Sequence, residues 1–392
     1  MDITQSSALL GGLTPQQFMR RHWQKKPLLV RQALPGFKPI LSRPELFELA
    51  GQESVESRLV VQGATGWRMK SGPFAPRSLP ALNKPGWSLL VQGVDMHEAK
   101  AHALLQQFRF VPDARMDDLM ISYASAGGGV GPHFDSYDVF LLQASGRRRW
   151  RIGKQTDFTL QEGVSLKILQ NFAPTEEFVL EAGDMLYLPP RYAHDGVAEE
   201  AFLADGKPEA CMTYSIGFRA PSQTELAGAL LQRLAEFGAD DEDSAAAPKL
   251  YRDPQQLATT NPAALPAELT EFARQAVALA LKDPLALACA LGEYLTEPKP
   301  SVWFEDANQQ SSGAPVVGAS SNVVLDLRTR MMYDEHHLFI NGESHRAKGA
   351  DAALMRRLAD QRQLGAAELG KASVSAQNLL ADWRDAGWLS FV

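Results

Sequence analysis

The chain has 392 residues, a formal net charge of −7 and only two cysteines. Because a single hydrophobic core rarely extends past about 250–300 residues, this length predicts two or three domains. The acidic balance argues against direct nucleic-acid binding and favours a basic partner, while Cys211 and Cys289 are too few for a disulfide framework and fit a reducing cytoplasm.

The first predicted element is a helix near the N-terminus, after a segment that lacks the charge and apolar order of a signal peptide. Thr14 is a suitable N-cap, Pro27 would end the helix, and the run LLVRQ predicts a short strand. From Leu59 to Phe218, short β-type runs alternate with Gly, Pro and Asp; they include WSLLVQG, DLMISYA, DVFLLQA, RRRWRIG, DMLYLP and CMTYSIGF. This spacing predicts a sandwich or barrel of antiparallel strands.

A glycine-rich run, Gly127–Gly131, precedes the most informative motif of the chain. It lacks the Lys-Ser or Lys-Thr pair of a nucleotide-binding P-loop and leads into a strand, so a phosphate site is disfavoured. We expect these glycines to let the backbone pass close to a neighbouring pocket.

That motif is His133-Phe134-Asp135, and His194 follows Asp135 by 59 residues, within GDMLYLPPRYAH. Residues i and i+2 of a strand project to the same side, so His133 and Asp135 can aim at one point, with His194 arriving from a second strand. Two imidazoles and one carboxylate are the ligand set that holds iron(II) on one face and leaves positions for a 2-oxo acid and dioxygen. The sequence therefore predicts an iron site at these three residues.

The run from Arg147 to Ile152 predicts an anion site beside the metal. Strand alternation places Arg148 on the same face as Trp150 and Ile152, which favour burial. A buried arginine needs an anion, and the distal carboxylate of 2-oxoglutarate is our candidate; an internal salt bridge is the alternative. Ser122 could add a hydroxyl donor to that carboxylate.

The pattern becomes helical at Pro221. A capping box at Ser222 opens the first helix, and two more fit PAELTEFARQAVALALK and DPLALACALGEYLTEP. Lys282, Asp283 and Pro284 interrupt this apolar stretch, so no membrane span of ~20 residues is predicted. The acidic run Asp240–Asp243 predicts a loop, and 299–322 predicts a linker.

The last 70 residues alternate strand and helix patterns and resemble a winged helix. Between Val323 and Val392 there are nine Lys or Arg and nine Asp or Glu, so the module shows no electrostatic footprint for DNA. We expect it to serve as a protein-contact scaffold.

Taken with FMRRHWQKKPLLVRQA and DDLMISYASAGGGVGPHFDSYDVF, the motifs HFD, GRRRW and GDMLYLPPRYAH resemble the JmjC-type 2-oxoglutarate oxygenases. The resemblance extends over essentially the whole chain and is strongest to the bacterial ribosomal oxygenases that hydroxylate an arginine of large-subunit ribosomal protein sixteen. It implies an α+β fold: a double-stranded β-helix (cupin or JmjC jelly-roll) catalytic domain at 1–220, a helical dimerisation domain at 221–300, and a linker with a winged-helix-like domain at 301–392.

The resemblance also implies roles for individual residues. Its metal ligands fall on His133, Asp135 and His194, and its 2-oxoglutarate-binding basic residue falls on Arg148. It further implies a homodimer formed through the helical domain and a cytoplasmic enzyme that uses iron(II), 2-oxoglutarate and dioxygen.

An arginyl substrate requires carboxylates and an aromatic face to receive its guanidinium. Asp117, Asp118, Tyr137 and Asp138 lie in or beside the metal-bearing strands, and we select Asp118 and Tyr137, with Met120 as an apolar wall. The alternative is that Tyr137 is ordinary barrel packing and that the aspartates end strands.

The leading hypothesis is therefore a protein hydroxylase acting on an arginine of a basic ribosomal protein. A second keeps the chemistry on another protein side chain, such as His or Asn, or on a small molecule. A third, from a different class, is a metal-sensing barrel joined to a DNA-reading winged helix, which the balanced charge of the C-terminal module disfavours.

Overall fold

The computed structural model describes residues 2–63, 66–239, 250–255, 263–305, 322–346 and 348–392. The chain forms two compact units, one of Met1–Ala220 with Pro300–Trp303 and one of Pro221–Lys299 with Phe304–Val392. The predicted acidic loop at 240–243 lies outside the described residues, as does most of the predicted linker at 299–322. The domain boundaries proposed from the sequence stay predictions.

The first unit is built mainly of antiparallel strands, with helices near its N-terminus. Its helices are α1 (Pro15–Arg21), α2 (Arg43–Leu49) and α3 (Ala99–Gln106). Its strands are β1 (Leu28–Val30), β2 (Ser57–Gly63), β3 (Gly66–Ser71), β4 (Trp87–Val91), β5 (Met116–Ala124), β6 (Val139–Ser145), β7 (Arg148–Gly153), β8 (Glu176–Leu180), β9 (Met185–Leu188), β10 (Ala193–Ala198) and β11 (Cys211–Phe218).

Helix α1 begins as predicted and ends earlier than predicted. Thr14 and Gln17 form a complete capping box. The helix stops at Arg21, well before Pro27, because Gln24 adopts a left-handed conformation with φ of 56°. The Gln24 N–H donates to the hydroxyl of Tyr187 at 2.8 Å, so a tertiary contact, rather than the proline, turns the chain.

Two sheets face each other across the interior of this unit. The larger has eight strands in the order β1-β9-β6-β11-β5-β4-β2-β3, and the smaller has the order β10-β7-β8. One apolar cluster contains side chains from both sheets: Val139, Leu141, Leu186 and Leu188 with Trp150, Ile152 and Leu180. The opposite face of the larger sheet packs on α1–α3. Alternate residues of β5, β6 and β11 therefore point into the space between the sheets.

The second unit combines three consecutive helices with a smaller mixed module. Its helices are α4 (Gln223–Ala239), α5 (Ala267–Ala280), α6 (Pro284–Thr296), α7 (Gly349–Gln361), α8 (Ala366–Leu369) and α9 (Val374–Asp385). Its strands are β12 (Val323–Leu325), β13 (Met331–Tyr333), β14 (His337–Ile340), β15 (Glu343–Arg346), β16 (Gln363–Leu364) and β17 (Leu389–Phe391). They form two three-stranded sheets, β16-β12-β17 and β13-β14-β15. Ser222 and Glu225 make the predicted reciprocal cap of α4.

Within the described ranges, no single helix is long and apolar enough to cross a membrane. Helices α5 and α6 meet the criterion of length and composition only together, and they are bent by 74° at the break between them.

Candidate metal centre

The two histidines of the predicted site lie opposite each other on paired backbones. His133 and His194 form an isolated antiparallel bridge in which each backbone N–H donates to the other residue's carbonyl, at 2.9 and 2.8 Å. Their ring centroids are 4.2 Å apart. Side chains at such a position stand on the same side of the pair, so the main chain itself brings both imidazoles together.

Each imidazole is oriented by a hydrogen bond from one of its ring nitrogens to a backbone carbonyl. The Nδ1 of His133 contacts the carbonyl of Gly131, and the Nδ1 of His194 contacts that of Tyr192, both at 2.9 Å. A carbonyl oxygen can only accept, so each Nδ1 carries a hydrogen, which in a neutral imidazole leaves the lone pair on Nε2. Hydrogen bonds of this kind, from the nitrogen that does not bind the metal to a backbone carbonyl, orient metal-binding histidines.

Asp135 completes the group. Its Oδ2 lies 3.7 Å from Nε2 of His194, and one ligand atom from each of the three residues lies within 4.8 Å of the others. In the part of the chain that the structure describes, this is the one group of three or more His, Cys, Asp or Glu side chains close enough to hold an ion. Two imidazole nitrogens and one carboxylate oxygen that converge in this way are the ligand set that suits iron(II).

The backbone that carries Asp135 differs from the prediction. His133 makes only a single bridge, and Asp135 lies in irregular chain rather than in a strand. Its carbonyl accepts the N–H of Arg191 at 2.7 Å. Phe134 points away to pack on Phe158 at a centroid distance of 4.4 Å, and Arg191 covers the same Phe158 ring. Tertiary contacts, in place of strand pairing, hold the carboxylate near the histidines.

The pKa of His194 also favours its role as a metal ligand. Burial lowers the pKa of His194 to about 4, with a smaller contribution from neighbouring His133, since the charged imidazolium would lose its hydration. The imidazole is therefore neutral at physiological pH, and a metal need not displace a proton from it.

The glycine-rich run passes close to this centre, as predicted. A Cβ on Gly129 would lie 2.6 Å from the carbonyl oxygen of Gly196, which is two residues beyond His194. Only glycine permits the loop to cross the strand of His194 at this distance.

Arg148 lies in the interior between the two sheets and is 4% exposed. It donates to three neutral acceptors: Cys211 Sγ from Nε (3.4 Å), Gly196 O from Nη1 (3.4 Å) and Ser122 Oγ from Nη2 (3.3 Å). No carboxylate among the described residues pairs with it, so the internal salt bridge considered from the sequence is absent from this part of the chain. A buried and uncompensated cation is a site for an anion.

The three neighbouring arginines follow the predicted alternation. Arg149 and Arg151 lie on the opposite face of β7, and Arg147 directly precedes the strand. All three are about half exposed and pair with the acidic side chains Glu181, Glu199, Glu177 and Asp195. Their charges are thus compensated at the surface, in contrast to that of Arg148.

The predicted substrate residues lie on the inward face of β5 and on the metal loop. Asp118 and Ser122 are buried, Met120 lies half-buried between them, and Asp118 Oδ2 accepts the N–H of Gly93 at 3.1 Å. Tyr137 is 39% exposed, but its phenol lies close to acidic groups. Partial burial, followed by the charges of Asp135 and Asp118, raises the pKa of Tyr137, so its hydroxyl stays protonated.

The two other aspartates considered for the substrate have partners within the protein. Asp117 pairs with Arg219 at 3.8 Å. Asp138 is fully buried and accepts from the Tyr187 hydroxyl at 2.5 Å and from Gln24 at 3.1 Å, which indicates a structural role.

Sequence reasoning missed Cys211, which it considered only as evidence for a reducing cytoplasm. The thiol lies against Arg148 because Cys211, Thr213 and Ser215 alternate with Met212, Tyr214 and Ile216, which are large and pack in the main core. That alternation of small polar with large apolar residues was visible in the sequence and would have pointed the thiol inward.

Two protein-family models match the chain. One describes a JmjC domain and matches residues 103–226, and the other describes a ROXA-like winged helix and matches 279–390. Together they confirm the predicted fold class, in which a JmjC barrel precedes a winged helix.

Known proteins from Escherichia coli are similar over most of the chain. The protein named ribosomal protein uL16 3-hydroxylase, from strain K12, is 37% identical over 290 residues, which cover 72% of this chain and 71% of that protein. The X-ray structure of E. coli ycfD has a TM-score of 0.81 at 29% identity and covers 97% of this chain and 98% of its own. A structure of YcfD, described as a ribosomal oxygenase in complex with cobalt and 2-oxoglutarate, has a TM-score of 0.78 at 29% identity and the same coverage.

Proposed function

The chain belongs to the JmjC-type ribosomal oxygenases, and from this membership we propose that it hydroxylates an arginine of large-subunit ribosomal protein sixteen, uL16. It is a 2-oxoglutarate-dependent dioxygenase whose cofactors are iron(II), 2-oxoglutarate and dioxygen. The observation that carries the proposal is a convergent His-Asp-His group beside a buried arginine without a protein counter-ion.

In this proposal, His133, Asp135 and His194 would hold the iron. When bound, the iron supplies the oxidising chemistry that couples conversion of 2-oxoglutarate to succinate and carbon dioxide with insertion of one oxygen atom into a substrate C–H bond. The chain's own contribution is to present two imidazoles and one carboxylate, with both Nδ1 hydrogens donated to backbone carbonyls. Those hydrogen bonds keep the rings from turning, so both Nε2 lone pairs face the ligand position.

Arg148 and Ser122 would bind the distal carboxylate of 2-oxoglutarate. Arg148 has spare N–H donors and a charge that no described carboxylate neutralises. Because the guanidinium is buried, its attraction to a carboxylate is poorly screened by water. Binding there would orient the 2-oxo acid group towards the metal ligands.

Asp118, Tyr137 and Met120 would receive the substrate arginine. Asp118 supplies a buried carboxylate for a guanidinium, and the protonated Tyr137 supplies an aromatic face with a donor hydroxyl. The overall charge of −7 favours the encounter with a basic ribosomal protein. Such a substrate implies that the enzyme works in the cytoplasm.

The helical part of the second unit would mediate homodimerisation. Several apolar side chains of α5 and α6, together with Leu281 in the turn between them, are exposed to solvent, including Val277 (49%) and Leu279 (69%). Exposed apolar side chains at this density are typical of a protein interface. The balanced charge of the winged helix argues against a direct role in binding nucleic acid.

The substrate is tested by incubating the enzyme with uL16, iron(II), 2-oxoglutarate and oxygen, followed by peptide mass spectrometry. One arginine-containing peptide is expected to gain a single oxygen atom, and His133→Ala or Asp135→Ala should abolish the gain because the ligand set is incomplete. An unmodified uL16 with metal-loaded enzyme would refute the substrate, and oxygen on a His or Asn peptide would support the alternative target.

The co-substrate site is tested with a pair of variants on one strand. Arg148→Met should raise the KM for 2-oxoglutarate by roughly 30-fold or more, because loss of a buried charge partner costs about 2–5 kcal/mol. Arg149→Met, on the exposed face of β7, should leave that KM within about twofold, since surface ion pairs contribute about 0–1 kcal/mol. Equal KM values for the two variants would exclude Arg148 from the 2-oxoglutarate site.

A further inference from the structure

Cys211 lies at the contact between the two sheets where Arg148 reaches across the interior. It is 1% exposed, opens β11, and packs with Ala124 of β5 and Ala198 of β10. Its sulfur is held by two donors: Arg148 Nε at 3.4 Å and Gln143 Nε2 at 3.3 Å. A thiol that accepts from both a cation and an amide is fixed in place, which a merely space-filling residue would not need to be.

Gln143 fixes the thiol from the side opposite Arg148. Its Nε2 also donates to the carbonyl of Ser145 at 2.7 Å, and its Oε1 accepts the hydroxyl of Thr213 at 2.9 Å. Gln143 is fully buried, so both ends of its amide are satisfied within the protein. The acceptor position offered to Arg148 is therefore set by a chain of hydrogen bonds in the larger sheet.

The donors of Arg148 can be counted against these contacts. Nε has one hydrogen, and it is directed to Cys211. Nη1 and Nη2 have two hydrogens each, and one from each is directed to Gly196 and to Ser122. One N–H therefore remains on each terminal nitrogen, the number that a carboxylate accepts as a bidentate pair.

We propose that Cys211 is a positioning residue for 2-oxoglutarate, because its sulfur occupies the Nε–H of Arg148 without neutralising the guanidinium. The inference rests on the proposed role of Arg148. A neutral acceptor at this position orients the cation, leaves its two terminal nitrogens for the distal carboxylate, and preserves its full charge. An anionic side chain at position 211 would instead form the internal ion pair that the described structure lacks.

Three substitutions at position 211 separate orientation from charge. Cys211→Ser keeps a neutral acceptor, Cys211→Ala removes it, and Cys211→Asp supplies a carboxylate. Binding is measured by calorimetry on the manganese(II)-loaded full-length protein, with 2-oxoglutarate and with 2-oxobutanoate, which lacks the distal carboxylate. Metal affinity and thermal unfolding are recorded for each variant, and Cys289→Ser controls for loss of a thiol elsewhere.

The dissociation constant for 2-oxoglutarate is expected to stay within about threefold in Cys211→Ser. It should rise about three- to tenfold in Cys211→Ala, since one orienting hydrogen bond of ordinary strength is lost. In Cys211→Asp it should rise more than about 100-fold, because the internal pair competes with the ligand. Affinity for 2-oxobutanoate and for manganese(II) should stay at the level of the unsubstituted protein. KM for 2-oxoglutarate should rise while kcat at saturation is kept in Cys211→Ala.

Unchanged 2-oxoglutarate affinity in both Cys211→Ala and Cys211→Asp would overturn the inference, and so would an equal loss for both 2-oxo acids, which indicates general structural damage. If Cys211→Asp does not fold, the comparison of Cys211→Ala with Cys211→Ser decides. Arg148→Met separates the proposed role of Arg148 from that of Cys211. If Arg148→Met binds 2-oxoglutarate normally, the proposed role of Arg148 fails. If Arg148→Met binds it weakly but the Cys211 variants bind it normally, only the inference about Cys211 is overturned.

Discussion

Asp138 shows how a residue beside the metal loop can serve the fold instead of the chemistry. Its buried carboxylate accepts from Tyr187 and Gln24 and lies 3.4 Å from Arg115. These contacts join the turn after α1 to strand β9 through a single side chain. Burial raises the pKa of Asp138 despite these donors, because the charged form loses its hydration.

The raised pKa predicts a pH dependence of stability. In the unfolded chain this carboxyl ionises near its usual pKa of 3.8, and in the folded protein it ionises at higher pH. The folded state therefore binds more protons in that interval, and the stabilising contribution is lost as pH rises through the folded pKa. Relative to the unsubstituted protein, Asp138→Asn should gain unfolding free energy as pH is raised from about 4 to about 7, as urea titrations would measure. A difference that is independent of pH would contradict this assignment.

The sequence could predict residues whose role depends on local pattern, but not those whose role depends on a partner from another strand. Alternation along β7 was enough to direct Arg148 inward. The spacing of His133 and Asp135 predicted that they lie together, but irregular chain and tertiary contacts, rather than a strand, place Asp135 there. The contact of Cys211 with Arg148 depends on which strands lie opposite each other and in what register. Those relations come from the packing of two sheets and are not encoded in any short segment.

At the scale of elements, close packing of α6 on β14 depends on one glycine. A Cβ on Gly292 would lie 2.4 Å from the ring of Phe339. The helix can approach the sheet this closely only because position 292 has no side chain. At this point the backbone of α6 packs directly against the side chain from β14.

Substituting this glycine should therefore destabilise the second unit. Gly292→Ala is expected to lower the unfolding free energy by about 1–3 kcal/mol through overpacking against Phe339. The matched control is Gly228→Ala in α4, where a Cβ would meet nothing within 4 Å and should stabilise the helix by about 0.5–1 kcal/mol. Chemical denaturation of the full chain measures both, and a Gly292→Ala protein as stable as the control would refute the close contact.

Elements with strong apolar periodicity were predicted well, and two exposed edge strands were not. The runs for α4, α5, α6, β5, β6 and β11 correspond to observed elements. Strands β3 and β15 were not predicted because they lie at sheet edges and are mostly exposed. Their sequences, GWRMKS and ESHR, therefore lack the alternation of apolar and polar residues that marks a half-buried strand. Their extended conformation is imposed by pairing with β2 and β14, which is a tertiary effect.

At the scale of the whole molecule, the proposed homodimer makes a direct prediction. Introducing Val277→Glu with Leu279→Glu should convert the dimer to a species of half the mass, because two charges would be buried in an apolar interface. Phe202→Glu, which also places a charge at an exposed apolar position but in the first unit, should leave the mass unchanged. Analytical ultracentrifugation decides between these outcomes, and an unsubstituted protein that sediments as a monomer would refute the dimer.

The order of the modules could be predicted because each has its own pattern, from β-runs to helical periodicity to alternating strands and helices. The structure groups the helical and winged-helix segments into one compact unit, and the domain boundaries proposed from the sequence stay predictions. Such grouping depends on surfaces that meet only after folding.

The reciprocal backbone bridge between His133 and His194 has a consequence for the life cycle of the enzyme. Because main-chain hydrogen bonds set the separation of the two rings, the histidines stay in place whether or not the metal ion is bound. Stripping the protein with a chelator should leave a folded apoenzyme that regains its centre on simple reloading. A cell short of iron could then hold a reserve of intact protein and restore the reaction without new synthesis.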